Sequence, residues 1–269
     1  MKKLITHINP HLDDILAIWL FKKFNLKFAD ANLEFISASR DAAKEKESED
    51  VIFFGTGGGK FDEHKEGSKE SAGSLVWKQI RSQAKVKNEL EEKALDELVE
   101  WNTLVDTGKA PAHEFGPFSL QAYIRPLDSS PESSKKAVEL GSEILDRILE
   151  VLKRKYQSLK DWEKRVEFGT SLGKGVAVKS ETVDRAFCKA QTGDIFLIYD
   201  PKYSSVQYFT PSFEIDLEPI YRKVKKLDPE ADWFLHQSHH MVICGSGSAP
   251  DSKKTKLTFE QLIEIAKTV

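Results

Sequence analysis

The sequence predicts an α/β protein: a mostly parallel sheet with helices on both faces, followed by a smaller C-terminal α/β domain. Three observations carry this. Apolar runs of strand length at Leu4–Ile8 and Val51–Phe54 alternate with longer stretches of helical periodicity. The second run is apolar without a break, as a strand buried on both faces requires. Hydrophobic periodicity resumes after Arg125-Pro126-Leu127-Asp128-Ser129-Ser130-Pro131, a stretch of linker composition, so domains are expected at 1–126 and 131–269.

Composition bounds the function. With 269 residues, 40 basic against 43 acidic side chains and a net charge of −3, the chain has no global basic field for gripping nucleic acid, so an extended nucleic-acid surface is not expected. Cys188 and Cys244 form no CxxC and suggest no disulfide framework. The longest apolar run, Ile15–Phe21, is far short of a membrane span, and no signal peptide is recognised, so a cytoplasmic protein without a membrane partner is expected. Homo-oligomerisation is left open.

The first element is a strand carrying Leu4, Ile5 and Ile8, ended by Pro10, which has no N–H to give its ladder. From Asp13 an apolar helix follows through Ile15, Leu16, Ile18, Trp19 and Leu20, with Asp13 and Asp14 at the positive end of its dipole. A strand end feeding a helix start is where open α/β sheets place ligands. His7, His11 and Asp13 are spaced to bring two imidazoles and a carboxylate onto one cation, a donor set suited to Mn²⁺, Zn²⁺ or Fe²⁺ more than Ca²⁺. The structural alternative makes His11 and Asp13 helix caps and His7 a core histidine. One cap would suffice, and this turn carries four such groups.

Asn32–Ser39 reads as the second strand, and the charged run Arg40–Asp50 as a solvated connector. The third strand, Val51–Phe54, leads into Gly55-Thr56-Gly57-Gly58-Gly59-Lys60-Phe61-Asp62-Glu63-His64. Consecutive glycines let this backbone pass close to a charged group, and the Asp-Glu-His triplet adds ligands or acid/base groups; alone it would read as a hairpin. Ser71 is the expected N-cap of a second helix through Leu75, Val76 and Ile80. A third helix is expected at about Asn88–Thr103 with Leu95, Leu98, Val99 and Trp101 inward, ending beside Asp106, whose charge at a helix C-terminus calls for a cation.

His7, His11 and Asp13, then Gly58-Gly59-Lys60-Phe61-Asp62-Glu63-His64, Ser71-Ala72-Gly73-Ser74-Leu75-Val76-Trp77 and Val105-Asp106-Thr107-Gly108, together resemble the DHH phosphoesterase superfamily, in particular the Myg-type metal-dependent hydrolases and exonucleases. The match is discontinuous but in order. The resemblance implies a DHH-like fold and metal-activated hydrolysis of a nucleotide or short-oligonucleotide phosphodiester. It makes His7, His11, Asp13 and Asp106 ligands of a Mn²⁺ or Mg²⁺ pair, with Glu63 a further ligand and Asp62 and His64 as catalytic groups. Two departures stand out: Glu63 replaces the triplet's first histidine, and Phe54 or Gly55 stands where the family has a third-strand aspartate. Both weaken two-metal catalysis, and they motivate a third reading as a degenerate nucleotide-binding protein.

A second resemblance runs over Asn9-Pro10-His11-Leu12-Asp13-Asp14, which is similar to the zinc-dependent PIG-L-type N-deacetylases. It implies one Zn²⁺ on His11 and Asp14, Asp13 as general base, and a later histidine for which His113 is the candidate.

Beyond Asp106, His113 and Arg125 are candidate substrate contacts or plain surface residues. A long helix from Pro131 carries Val138, Ile144, Leu145, Ile148 and Val151 at helical spacing. Gly173–Lys179, Asp194–Tyr199 and Ser205–Phe209 read as strands, with helices at Val183–Ala190, Glu218–Leu227 and Phe259–Lys267. His236, His239 and His240 sit between apolar strands before a Gly/Ser loop at Gly245, with Lys253 and Lys254 nearby, a composition able to hold a phosphate. The DHH resemblance extends here to a substrate-binding module.

Overall fold

The computed structural model describes residues 1–39, 46–111, 116 and 119–269. Its contacts divide the chain into two compact units, Met1–Lys153 and Arg154–Val269.

In the first unit β1 (Lys3–His7) is the middle strand of a three-stranded parallel sheet, flanked by β2 (Asn32–Ile36) and β3 (Val51–Phe53). Register sets Ile5 opposite Glu34 on one side and Phe53 on the other. Only the middle strand is covered along its length, from Leu4 to His7. The expectation of a third strand buried on both faces is corrected: β3 is an edge, with Val51 and Ile52 half-buried. The second strand also stops at Ile36 rather than Ser39.

In α1 (Leu12–Phe24) every residue from Leu12 to Phe21 is buried, so the helix must be covered all round. Cover comes from α2 (Ala72–Ser82), α3 (Glu89–Asp106) and a longer helix beyond the short α4 (Leu120–Ile124), namely α5 (Pro131–Trp162). Close approach is made by glycines: a Cβ at Gly73 would lie 2.9 Å from Leu16 Cδ2, and one at Gly141 2.7 Å from Ile15 Cγ2. Trp19 Nε1 and Lys23 Nζ both donate to Asp146 Oδ1, at 3.1 and 2.9 Å. These contacts attach the first half of α5 to the first unit, so the contact division falls inside that helix and the linker-like stretch 125–131 lies within the unit. That stretch is tied down where Asn9 donates to Ser129 Oγ at 2.9 Å and to Ser134 Oγ at 3.1 Å. The helical spacing read at Val151 does not bury that residue, which is 66% exposed.

The second unit is built on a six-stranded sheet ordered β4 (Val166–Thr170), β5 (Gly173–Lys179), β6 (Ile195–Asp200), β7 (Ser205–Phe209), β9 (Met241–Cys244), β8 (Trp233–Leu235). Only β5 and β6 pair in parallel. Strand alternation splits the core: Ile195 and Leu197 pack with Ile220 and Val224 of α7 (Glu218–Leu227) and Leu262 of α8 (Phe259–Lys267), while Phe196 and Ile198 pack with Trp162, Val183 and Cys188. The helix expected at Val183–Ala190 is shorter, α6 (Arg185–Lys189), because Asp184 caps it by accepting the Phe187 N–H at 2.8 Å. Among the described residues no helix is long and apolar enough to cross a membrane.

Candidate metal centre

The centre forms where β1 ends and α1 begins. Asp14, in the first turn of α1, accepts the His11 N–H on Oδ2 at 2.8 Å and the Thr6 hydroxyl on Oδ1 at 3.2 Å. His7 Nε2 lies 3.0 Å from Asp14 Oδ2, and its Nδ1 lies 2.7 Å from the Ile8 carbonyl oxygen. Those two acceptors suit an imidazolium, which donates from both nitrogens. The Asp14 hydrogen bond accordingly raises His7 to about 9 against the opposing effect of burial. The His7 and His11 rings meet edge to face at 5.2 Å. Donor atoms of His7, His11 and Asp14 all lie within 4.8 Å of one another.

Asp13 lies in the same helical turn but contacts α2 and α3. It accepts the backbone N–H of Ala72 at 2.6 Å and of Gly73 at 3.1 Å, from the N-terminus of α2, and the Asn102 side-chain amide at 2.5 Å. Burial pushes its carboxyl up to about 8, with Asp14 and Asp106 adding to the shift. Asp106, in the last turn of α3, is also raised, by partial burial and by Asp14. Glu63 is pushed up to about 7, first by burial and then by Asp14 and Asp106. Asp13, Glu63 and Asp106 bring one donor atom each within 4.8 Å of one another.

The loop after β3 supplies Glu63 and a hydrogen-bonded turn. Asp62 accepts the Gly58 N–H at 2.7 Å, the His64 N–H at 3.0 Å and the His64 ring Nδ1 at 3.0 Å. Although burial opposes it, these bonds hold the Asp62 carboxyl below its ordinary range. His64 is exposed and raised, burial being outweighed by Asp62 and Glu63.

A divalent cation fits these residues. Burial first, and then repulsion from neighbouring carboxylates, raises Asp13, Glu63 and Asp106, and Glu63 Oε2 is buried with no hydrogen-bond partner among the described residues. An orphaned buried carboxylate oxygen amid like charges is costly unless a cation is shared. One set offers two imidazoles and a carboxylate, the other three carboxylates, which suit Mn²⁺ and harder cations respectively.

Of the residues singled out in the sequence, His7, His11, Asp13, Glu63, Asp106, Asp62 and His64 converge here. The sequence reading of the DHH resemblance omitted Asp14, although it is the carboxylate that meets both histidines. The deacetylase reading named it, and the signal was the Asp13-Asp14 pair, whose neighbours a helix splays apart. Asn102 was also missed, since helical periodicity favoured Trp101 as the inward residue; Asn102 is 1% exposed and Trp101 half-buried. His236, His239, His240, Gly245 and Lys253 lie in the second unit. His236 Nδ1 meets Ser238 Oγ at 2.8 Å, His239 Nδ1 meets Asp216 at 3.1 Å, and the His240 ring faces Phe213 at 5.4 Å. Lys253 donates its backbone N–H to Asp232 at 2.8 Å, and a Cβ at Gly245 would meet Lys254 at 2.9 Å. His113 lies outside the described residues.

No family model and no curated protein matches the chain. Among solved structures it is similar to RecJ from Thermus thermophilus in complex with Mg²⁺, with TM-score 0.31 and 12% identity over 99% of this chain and 49% of that one. It is likewise similar to exonuclease RecJ bound to manganese, with TM-score 0.33 and 8% identity over 99% and 89%. An exopolyphosphatase-related protein from Bacteroides fragilis gives TM-score 0.25 and 10% identity over 98% and 89%. The chain spans about half the length of the T. thermophilus structures. At these values the functional reading rests on the residues of the chain itself.

Proposed function

We propose that the first unit is a DHH-type, metal-dependent phosphoesterase centre that hydrolyses a nucleotide or short-oligonucleotide phosphodiester using Mn²⁺ or Mg²⁺. The observation that carries this is the convergence of Asp13, Asp14, Glu63, Asp106, His7 and His11, with Glu63 Oε2 buried and unpartnered among them. A cation held by these residues would supply activation of water and neutralisation of phosphate charge.

The chain's own groups do the rest. The N–H groups of Ala72 and Gly73, with Asn102, fix the Asp13 carboxylate in one orientation. The Thr6 hydroxyl and the His11 backbone N–H hold Asp14 in place beside His7. Asp62 orients His64 through Nδ1, and because His64 is raised toward its protonated form it is placed to give a proton to a departing alkoxide. His236, His239, His240, Gly245 and Lys253 are proposed substrate contacts of the second unit.

The meeting of His11 with Asp14 favours one other reading, the zinc-dependent N-deacetylase. Elemental analysis of the purified chain, beside Mn²⁺-supported hydrolysis of bis(p-nitrophenyl) phosphate, separates them. Bound Mn²⁺ with turnover is expected. A single zinc without phosphodiesterase activity would transfer the assignment to the deacetylase, and no bound metal with tight nucleotide binding would leave a binding protein.

A further inference from the structure

In the second unit β4 lies at one edge of the six-stranded sheet and pairs only with β5. On β5, Lys174 turns its backbone away from β4: its N–H donates to Asp194 Oδ2 at 2.7 Å and its carbonyl accepts the Asp194 N–H at 2.8 Å. Such groups alternate along an antiparallel ladder, so Gly173 and Gly175 bond to Thr170 and Phe168, and Glu167 and Gly169 turn their N–H and C=O groups outward. Neither has a backbone partner on that side among the described residues. The open stretch is bounded at both ends, because the Arg165 N–H donates to the Trp162 carbonyl at 3.2 Å and the Ser171 N–H to Val269 O at 2.8 Å.

An edge with free backbone groups is a template for another strand. Glu167 and Gly169 are exposed on the whole chain. A Cβ at Gly169 would meet nothing within 4 Å among the described residues, so no side chain shields the strand there. The one charge on the open stretch is Glu167, which Arg165 meets at 2.9 Å and Lys174, the residue opposite Gly169 on β5, at 2.7 Å.

We infer that β4 pairs with β4 of a second copy of this chain, antiparallel, about a two-fold axis at Phe168. Only this register pairs open groups with open groups alone. Glu167 of each copy stands opposite Gly169 of the other, and four N–H to C=O bonds form without breaking one already made. Centring the pair on Glu167 would set two like charges directly opposite and call on the committed Arg165 N–H, and centring it on Gly169 would call on the committed Ser171 N–H. In the Phe168 register the bare Gly169 separates Glu167 of one copy from Lys174 of the other by two strand spacings, about 10 Å between backbones, which the two long side chains bridge. That match occurs twice by symmetry, so the edge is complementary to itself in charge as well as in hydrogen bonding. The inference goes beyond the phosphoesterase reading and stands or falls without it.

The test is analytical ultracentrifugation of the full chain, joined to amide hydrogen exchange. A seam of one short strand a side is a small interface, so a monomer–dimer equilibrium is expected between about 5 and 500 µM. Exchange at the Glu167 and Gly169 amides should slow as the dimer fills. Gly169→Pro removes an outward N–H and no bond of the monomer, so it should raise the dissociation constant at least about tenfold at an unchanged melting temperature. Glu167→Lys should weaken the dimer too by facing Lys174 of the second copy, and Glu167→Lys combined with Lys174→Glu should restore it. A chain that stays monomeric across that range overturns the inference. So does a dimer that survives Gly169→Pro intact, which would place the interface elsewhere. If the proline variant fails to fold, the charge series decides: a dimer indifferent to Glu167→Lys, or one the double swap does not restore, overturns it equally.

Discussion

A Cβ built on Gly55 would lie 2.0 Å from Asp14 Oδ1. The loop after β3 and the first turn of α1 therefore meet with no room for a methyl group between them. The same Cβ would sit 3.7 Å from Glu63 Oε1, so the space where the DHH resemblance seeks a third-strand aspartate is already bordered by Asp14 and Glu63. Phe54 offers no substitute, because its ring is fully buried and stacked on Phe61 at 5.6 Å. The carboxylates of this centre come from the first turn of α1, the last turn of α3 and a loop instead of the strand.

Gly55→Ala should accordingly lose metal binding. Gly55 has φ +60°, so alanine costs about 1–2 kcal/mol in backbone conformation alone, and the collision with Asp14 adds to it. Mn²⁺ affinity by calorimetry is expected to fall at least about tenfold, with a lower melting temperature. Gly58→Ala is the control: φ is +67° but nothing among the described residues lies within 4 Å of its Cβ, so it should show the backbone cost and keep its Mn²⁺ affinity. Equal Mn²⁺ affinity in the two variants would refute the placement of Asp14 in the centre.

Much of this centre was legible in the sequence because it is local. His7, His11, Asp13 and Asp14 fall within one strand-to-helix turn, and Asp62, Glu63 and His64 follow one another after a glycine run. Local spacing could not say which of Asp13 and Asp14 faces the histidines, since that depends on how α1 is rotated against α2. Gly73 and the Ala72 N–H capture Asp13, which leaves Asp14 to β1. Asn102 was hidden for the same reason: its role is set by Asp13, 89 residues away in sequence. The edge position of β3 was equally out of reach, because an apolar triplet reads alike at an edge and in the middle of a sheet.

Stability of the metal-free protein should fall as pH rises from 6 to 9. Asp13 is raised to about 8, Glu63 to about 7 and His7 to about 9 in the folded chain. For each, the folded state binds protons more strongly than the unfolded chain. Stability from them is fully present below their ordinary values and lost as pH climbs through the raised ones. Urea midpoints of the chelator-treated chain should decline across that window, and saturating Mn²⁺ should flatten the decline by binding the ionised carboxylates. A metal-free midpoint that rises from pH 6 to 8 would contradict the raised values.

Glu63→Gln separates stability from binding. At pH 8 the wild-type carboxylate is largely ionised among Asp14 and Asp106, with Oε2 unpartnered among the described residues, and the amide removes that charge. The metal-free variant should melt higher, each kcal/mol gained being worth about 2–4 °C in a chain of this size. The further rise on adding Mn²⁺ should shrink or vanish. Scanning calorimetry with and without Mn²⁺ tests both, and a variant still stabilised fully by Mn²⁺ would remove Glu63 from the ligand set.

His7→Ala decides between the two metal readings. In the phosphoesterase reading His7 belongs to the ligand set with His11 and Asp14, so the variant should lose at least about tenfold in Mn²⁺ affinity together with phosphodiester turnover. In the deacetylase reading zinc rests on His11 and Asp14, and His7 only hydrogen-bonds Asp14 at 3.0 Å. One equivalent of zinc would then survive the substitution, while His11→Ala would abolish it. Paired elemental analysis of the two variants after dialysis against each metal gives the answer: loss in both favours the phosphoesterase, and loss in His11→Ala alone favours the deacetylase.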